Sequence, residues 1–275
     1  MFETLGLFAG SVGGSLIVAI GCAVVGVFLV LRRIVFVGAA LAQLSSAGMA
    51  LAILLESLGL SVIFISDPLV LSFLITLAGT SFFGLRAASD ELPPDAGLGV
   101  VFVVAGALAV LFLARSAQAD IYDLFFGGDV LLIPDEQLLI LAAVILPVVL
   151  VYYLFSKEFL FVSFDDQMAA TLGYDIRRWN VALFATFAIV ITFSIRTVGV
   201  LLAFAYLVLP ALIGITVGDR LSRVFMGAVV SAIFGTLAGF VLSVYWDLPT
   251  GPVIIATLGA LLIVVWVGGR RARLS

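Results

Sequence analysis

Histidine is absent from this sequence, and cysteine occurs once, as Cys22. Without an imidazole the chain has no histidine metal ligand and no histidine acid or base. A lone thiol closes no disulfide within the chain, so cysteine says nothing about the redox compartment. Charge is scarce as well: 11% of the 275 residues are Asp, Glu, Lys or Arg, against about 25% in a soluble domain. No glycine-rich loop ending in Lys-Ser or Lys-Thr occurs, which excludes ATP hydrolysis by that phosphate-cradling route. Nothing resembles a basic nucleic-acid surface, and no internal repeat or low-complexity linker is visible.

What fills the chain instead is apolar: 64% of the residues, with a mean hydropathy of +1.35. The polar complement is too small to cover that surface in water, so lipid is the solvent that fits. A bilayer core of about 30 Å takes around 20 apolar residues in helical form. Nine charge-free stretches meet that length or come close: 4–31, 34–55, 68–85, 96–114, 137–156, 179–195, 197–218, 224–246 and 248–269. They are continuously apolar, which predicts helices and not barrel strands. The expected fold is an all-α integral membrane protein of about nine spans, one polytopic domain over residues 1–275. The start, Met1-Phe2-Glu3-Thr4, lacks the basic residues of a secretory signal, and the run after it is long enough to be a permanent helix.

Residues 179–218 hold one charge, Arg196, near the middle. As one helix they would be about 60 Å long, twice the membrane thickness, and an arginine at mid-bilayer costs at least about 2.5 kcal/mol. Two antiparallel helices with Arg196 in a tight turn remove both problems. With the N-terminus outside, the inner loops and the C-terminus receive eleven basic residues and the outer loops only Arg115 and Arg196. The positive-inside bias therefore predicts an extracytoplasmic N-terminus and a cytoplasmic C-terminus in the cell membrane.

Among the inner loops only 157–178 looks structured. Asp165 or Asp166 can cap a short helix running through Ala169 and Ala170, and Leu172-Gly173 suits its stop. Such a helix could meet a soluble motor subunit or lie on the lipid headgroups. Small residues recur every four positions as Gly6, Gly10 and Gly14, and as Gly227, Ser231, Gly235, Gly239 and Ser243. These stripes let helices approach closely, within the subunit or in a dimer. In the second span Ala39, Gln43, Ser46 and Ala50 share a face. Its polar members either hydrogen-bond between helices or line a pathway. No ionisable residue lies in the middle of any span, which weakens a proton-coupled transporter, an ion pump and a mid-depth carboxylate metal site. Pro147 and Pro210 fall inside spans and would kink them. A membrane enzyme would need clustered polar groups. The acidic set Asp120, Asp123, Asp129, Asp135 and Glu136 is the one candidate, better explained as a solvated outer loop.

Taken in order, several blocks resemble a known family: VFLVLRR at 27–33, VFVGAALAQLSSAGMALA after it, LFFGGDVLLIPDEQL at 124–138, FDDQMAATLGYDIR at 164–177, TVGVLLAFAYLVLPA at 197–211 and DLPTGP at 247–252. The chain resembles the membrane permease of ATP-binding-cassette importers for divalent metals, of the zinc, manganese and iron type. The resemblance implies a second permease copy, cytoplasmic ATPase subunits that use the ATP, and an extracytoplasmic solute-binding protein that delivers the metal. No cofactor is expected in this chain itself, and no enzymatic activity. It also implies that the region around Asp165, Asp166, Ala169, Ala170, Leu172 and Gly173 couples to the ATPase, and that Ala39, Gln43 and Ser46 border the pathway.

One departure from the family stands out. Its second helix usually reads Asp-Ala-Leu-Ser-His after a glycine, with Asp and His as metal ligands one turn apart. Here the positions after Gly38 read Ala39-Ala40-Leu41-Ala42-Gln43, and a neutral amide is a poor ligand for zinc or manganese. The family's metal residues therefore do not carry over. The metal could pass without a strong site, the cargo could be a chelated metal or another small solute, or a ligand-bearing permease could form a heterodimer with this one. A secondary transporter of another fold is the remaining rival.

Overall fold

The computed structural model describes residues 9–59, 67–86, 94–116, 135–164 and 166–274. Ten helices run through them: α1 (Ala9–Leu31), α2 (Val35–Ser57), α3 (Pro68–Arg86), α4 (Pro94–Arg115), α5 (Asp135–Leu154), α6 (Ser156–Phe164), α7 (Asp166–Thr171), α8 (Ile176–Val217), α9 (Leu221–Trp246) and α10 (Thr250–Leu274). No strand occurs among the described residues. This is the outcome expected where lipid offers the backbone no hydrogen-bond partners, since a helix satisfies its own. Seven of the helices are long and apolar enough to cross a membrane, α8 counting once. With α8 divided and the 19 residues of α3 added, every expected span has its counterpart, shifted by a few residues at its ends.

The 42 residues of α8 would reach about 63 Å if straight. They do not run straight, because Gly199 has φ 80° and ψ 169°, far from helical values. Contacts with α1 show the reversal. Asn180 meets Arg32 at 3.0 Å and Ser194 Oγ lies 3.2 Å from Cys22 Sγ, so the first arm climbs α1 toward its start. Leu207 then comes back against Gly26, four residues on the Arg32 side of Cys22. The hairpin expected in this stretch is present, but its pivot is Gly199 and not Arg196. The reversal needs a backbone conformation open only to glycine. Arg196, one turn earlier, stays helical with its side chain exposed.

Sharp exits elsewhere use the left-handed conformation after a helix. Arg33 (φ 59°) follows α1, with Ile34 N–H donating to the Leu29 carbonyl at 3.1 Å. Asp247 (φ 53°) follows α9, with Leu248 N–H donating to the Ser243 carbonyl at 3.1 Å. Each bond spans a Schellman-type closure, so the chain re-enters a helix within a few residues.

The core gathers on α1 and α8, with α2, α5 and α9 packed against them. The small-residue stripe of α9 is used inside the subunit. Gly227 faces Gly214, Gly235 faces Leu258 and Gly239 faces Ile254, while Ser231 and Ser243 are buried. In the first stripe Gly14 is buried, and Gly6 lies outside the described residues. The acidic positions Asp120, Asp123 and Asp129 also lie outside them, and the side chains of Asp135 and Glu136 are not described.

Candidate functional site

The face expected on α2 consists of Ala39, Gln43, Ser46 and Ala50. Ala39, Ser46 and Ala50 are buried, and Gln43 is half-buried. Ala47, Ala50 and Ile53 pack with Ala105, Ala109 and Leu113 of α4 in a small apolar cluster. Gln43, one turn before Ala47, lies against Gly106 of α4. A Cβ at Gly106 would stand 3.1 Å from Gln43 Oε1. That oxygen is buried and accepts no hydrogen bond, so an acceptor that normally requires a partner stands open between two spans. The neighbouring face of α2 crosses α3 at close range. Ser45 and Ser72 hydroxyls lie 2.8 Å apart, and a Cβ at Gly48 would come within 2.6 Å of Ser72 Cα.

The segment expected to be a short helix is one. α7 covers Asp166–Thr171, and Gly173 follows with φ +85°. Tyr174 N–H donates to the Ala169 carbonyl at 3.1 Å, the Schellman closure that a glycine stop provides. Ala169 is fully buried, whereas Met168 and Leu172 are more than half exposed. Asp165 lies outside the described residues, and the side chains of Asp166 and Ala170 are not described. Asp175 caps α8 by accepting from Arg178 N–H at 3.2 Å, and it pairs with the Arg178 guanidinium at 2.9 Å. Helix α2 packs mainly on α4, α3 and α8, whereas the short helix α7 packs on α6 and α8.

One junction was not picked out from the sequence, where Arg32 counted only as a topological charge. Its Nε donates to Ser163 Oγ at 2.8 Å, and both terminal nitrogens donate to Asn180 Oδ1 at 3.0 Å. Ser163 in turn donates to the Phe159 carbonyl. Beside it Phe28, Tyr152, Phe159 and Trp179 form a ring cluster, with Phe28–Tyr152 centroids 4.8 Å apart and Phe159–Trp179 centroids 5.2 Å apart. The doublet Arg32-Arg33 before a new span was the available signal. Its partners lie 131 and 148 residues away, beyond any local pattern.

No three Cys, Asp or Glu side chains gather in one place among the described residues. Cys22 is buried against Ser194.

Comparison with known proteins gives a consistent answer. The ABC 3 transport family matches over residues 7–268. The manganese transport system membrane protein MntC of Halalkalibacterium halodurans is 25% identical over 249 residues, covering 90% of this chain and 82% of that protein. A probable iron transport system membrane protein of Haemophilus influenzae is 27% identical, over 91% of this chain and 89% of its own. In fold, the chain is similar to PsaBC from Streptococcus pneumoniae, solved in complex with Fab. The TM-score is 0.83 at 19% identity, over 96% of this chain and 94% of that one.

Proposed function

This chain belongs to the ABC 3 transport family, and from that premise we propose that it is the membrane-spanning subunit of an ATP-binding-cassette importer for a metal ion of the manganese or iron type. Zinc stays within the proposed range, because the relatives' names are specific to those proteins. The family match over nearly the whole length, 7–268, carries the proposal. Residues 1–275 act as one membrane domain, with the N-terminus outside and the C-terminus in the cytoplasm, as the basic residues favour. A second permease copy completes the conduit, a separate ATPase supplies the energy, and an extracytoplasmic binding protein delivers the cargo.

The segment 157–178 is the contact with the ATPase, through Asp165, Asp166, Ala169, Ala170, Leu172 and Gly173. What supports this is a short helix ended by Gly173 with Met168 and Leu172 outward. Ala39, Gln43 and Ser46 border the pathway. The unpartnered Gln43 oxygen supports a weak polar contact along the route and not a strong metal site. A chelated metal is the second reading, favoured by Ala39 and Gln43 standing where the family carries Asp and His.

The test is uptake of radioactive manganese into proteoliposomes holding this chain with its ATPase and binding protein. ATP-dependent accumulation is expected, and Leu172→Glu with Gly173→Glu should abolish it. Uptake by the chain alone, without an ATPase, would refute the proposal.

A further inference from the structure

Arg32 joins three parts of the chain that a moving coupling segment would have to drag with it. Ser163 is in the last turn of α6 and Asn180 in the first turns of α8. Between them lie α7 and its glycine stop. One guanidinium therefore pins both ends of the strap that holds α7. Its own backbone closes the end of α1, with Arg32 N–H donating to the Phe28 carbonyl at 3.0 Å. Six residues back along α1, Gly26 lies so close to the Leu207 carbonyl that a Cβ there would come within 1.8 Å of it. Leu207 belongs to the arm of α8 that returns from Gly199.

A continuous chain of contacts thus runs from the strap through Arg32 into α1, and from α1 into the returning arm. We propose that Arg32 is a positioning residue for transport: it converts displacement of the α7 strap into displacement of α1 and of the arm 200–217. The chemistry selects arginine. Its planar fork serves two acceptors in different directions at once, whereas an ammonium on a flexible stem is a point charge. This inference rests on the strap being the ATPase contact.

The experiment uses the complete complex with its ATPase and binding protein in proteoliposomes, and measures manganese taken up per ATP hydrolysed. Arg32→Lys keeps the positive charge that sets topology and loses the fork. The ratio is expected to fall about fivefold or more, the scale of a coupling between two sites, in a complex that still assembles. An unchanged ratio in Arg32→Lys overturns the proposal. If Arg32→Lys does not assemble, Asn180→Leu and Ser163→Ala each remove one arm and leave the cation. A lowered ratio in either supports the proposal. Normal ratios in both, or failure of both to assemble, reduce Arg32 to a structural fastener and overturn it. If the unmodified chain recruits no ATPase, the importer reading itself fails, a result distinct from any of these.

Discussion

Helices α1 and α4 are equally apolar over their most apolar 18 residues, yet 72% of those residues are buried in α1 and 22% in α4. In water such a pair would be expected to share a fate. In lipid the surroundings are as apolar as leucine, so hydropathy gives a helix no reason to choose protein over lipid. Close fit decides. In α1, Gly26 lets the backbone of Leu207 come near and Gly21 makes room for Ile145, and Ser15 and Cys22 are buried. In α4, Gly97 and Gly99 meet nothing within 4 Å, and Gly106 alone receives a neighbour, Gln43.

The largest effect should come from filling the gap in the buried helix. Gly26→Ala places a Cβ against the Leu207 carbonyl, where only backbone can yield, and should cost about 3 kcal/mol. The check is the thermal unfolding midpoint in detergent micelles. A midpoint equal to that of the unmodified protein would mean that burial of α1 does not depend on this crossing.

Next is the pivot. Gly199→Ala puts a side chain into φ 80°, ψ 169° and should cost about 1–3 kcal/mol in the same assay. No loss would show that the reversal of α8 tolerates another backbone path.

Gln43→Leu probes the place where the side chain of Gln43 lies against Gly106 of α4. Removing an acceptor that has no partner should leave stability unchanged or raise it by about 1 kcal/mol, while transport falls. Lower stability with normal uptake would return Gln43 to a packing role. The smallest effect belongs to α4: Gly99→Ala, facing open space, breaks no contact and should raise stability by no more than about 1 kcal/mol through helix propensity. A loss would place α4 in an interface.

Much of the fold was legible because hydropathy and charge are local. Residues 224–246 lack any charge and are flanked by Arg223 and Asp247, and α9 follows at Leu221–Trp246. The stop at Gly173 was equally local, since a glycine after a short helical run is the usual left-handed terminator. The pivot was misplaced by three residues because Arg196 was chosen on the cost of burying charge. Backbone freedom chose Gly199, and the arginine side chain reaches the surface from within the helix. Gln43 could be put on a face of α2 by counting, but nothing in the sequence pairs it with Gly106. Arg32 was visible as a charge and invisible as a fork.

The sequence by itself determined that this chain lives in lipid, that it is helical, and where its spans lie to within a few residues, because each of those depends on a run of neighbouring residues. Tertiary structure decided which of the equally apolar helices go inside, how α8 folds back along α1, and that Arg32 holds both ends of the α7 strap. Those outcomes rest on shape and hydrogen-bond geometry between residues more than a hundred positions apart, and apolarity that reads the same toward lipid and toward protein does not encode them.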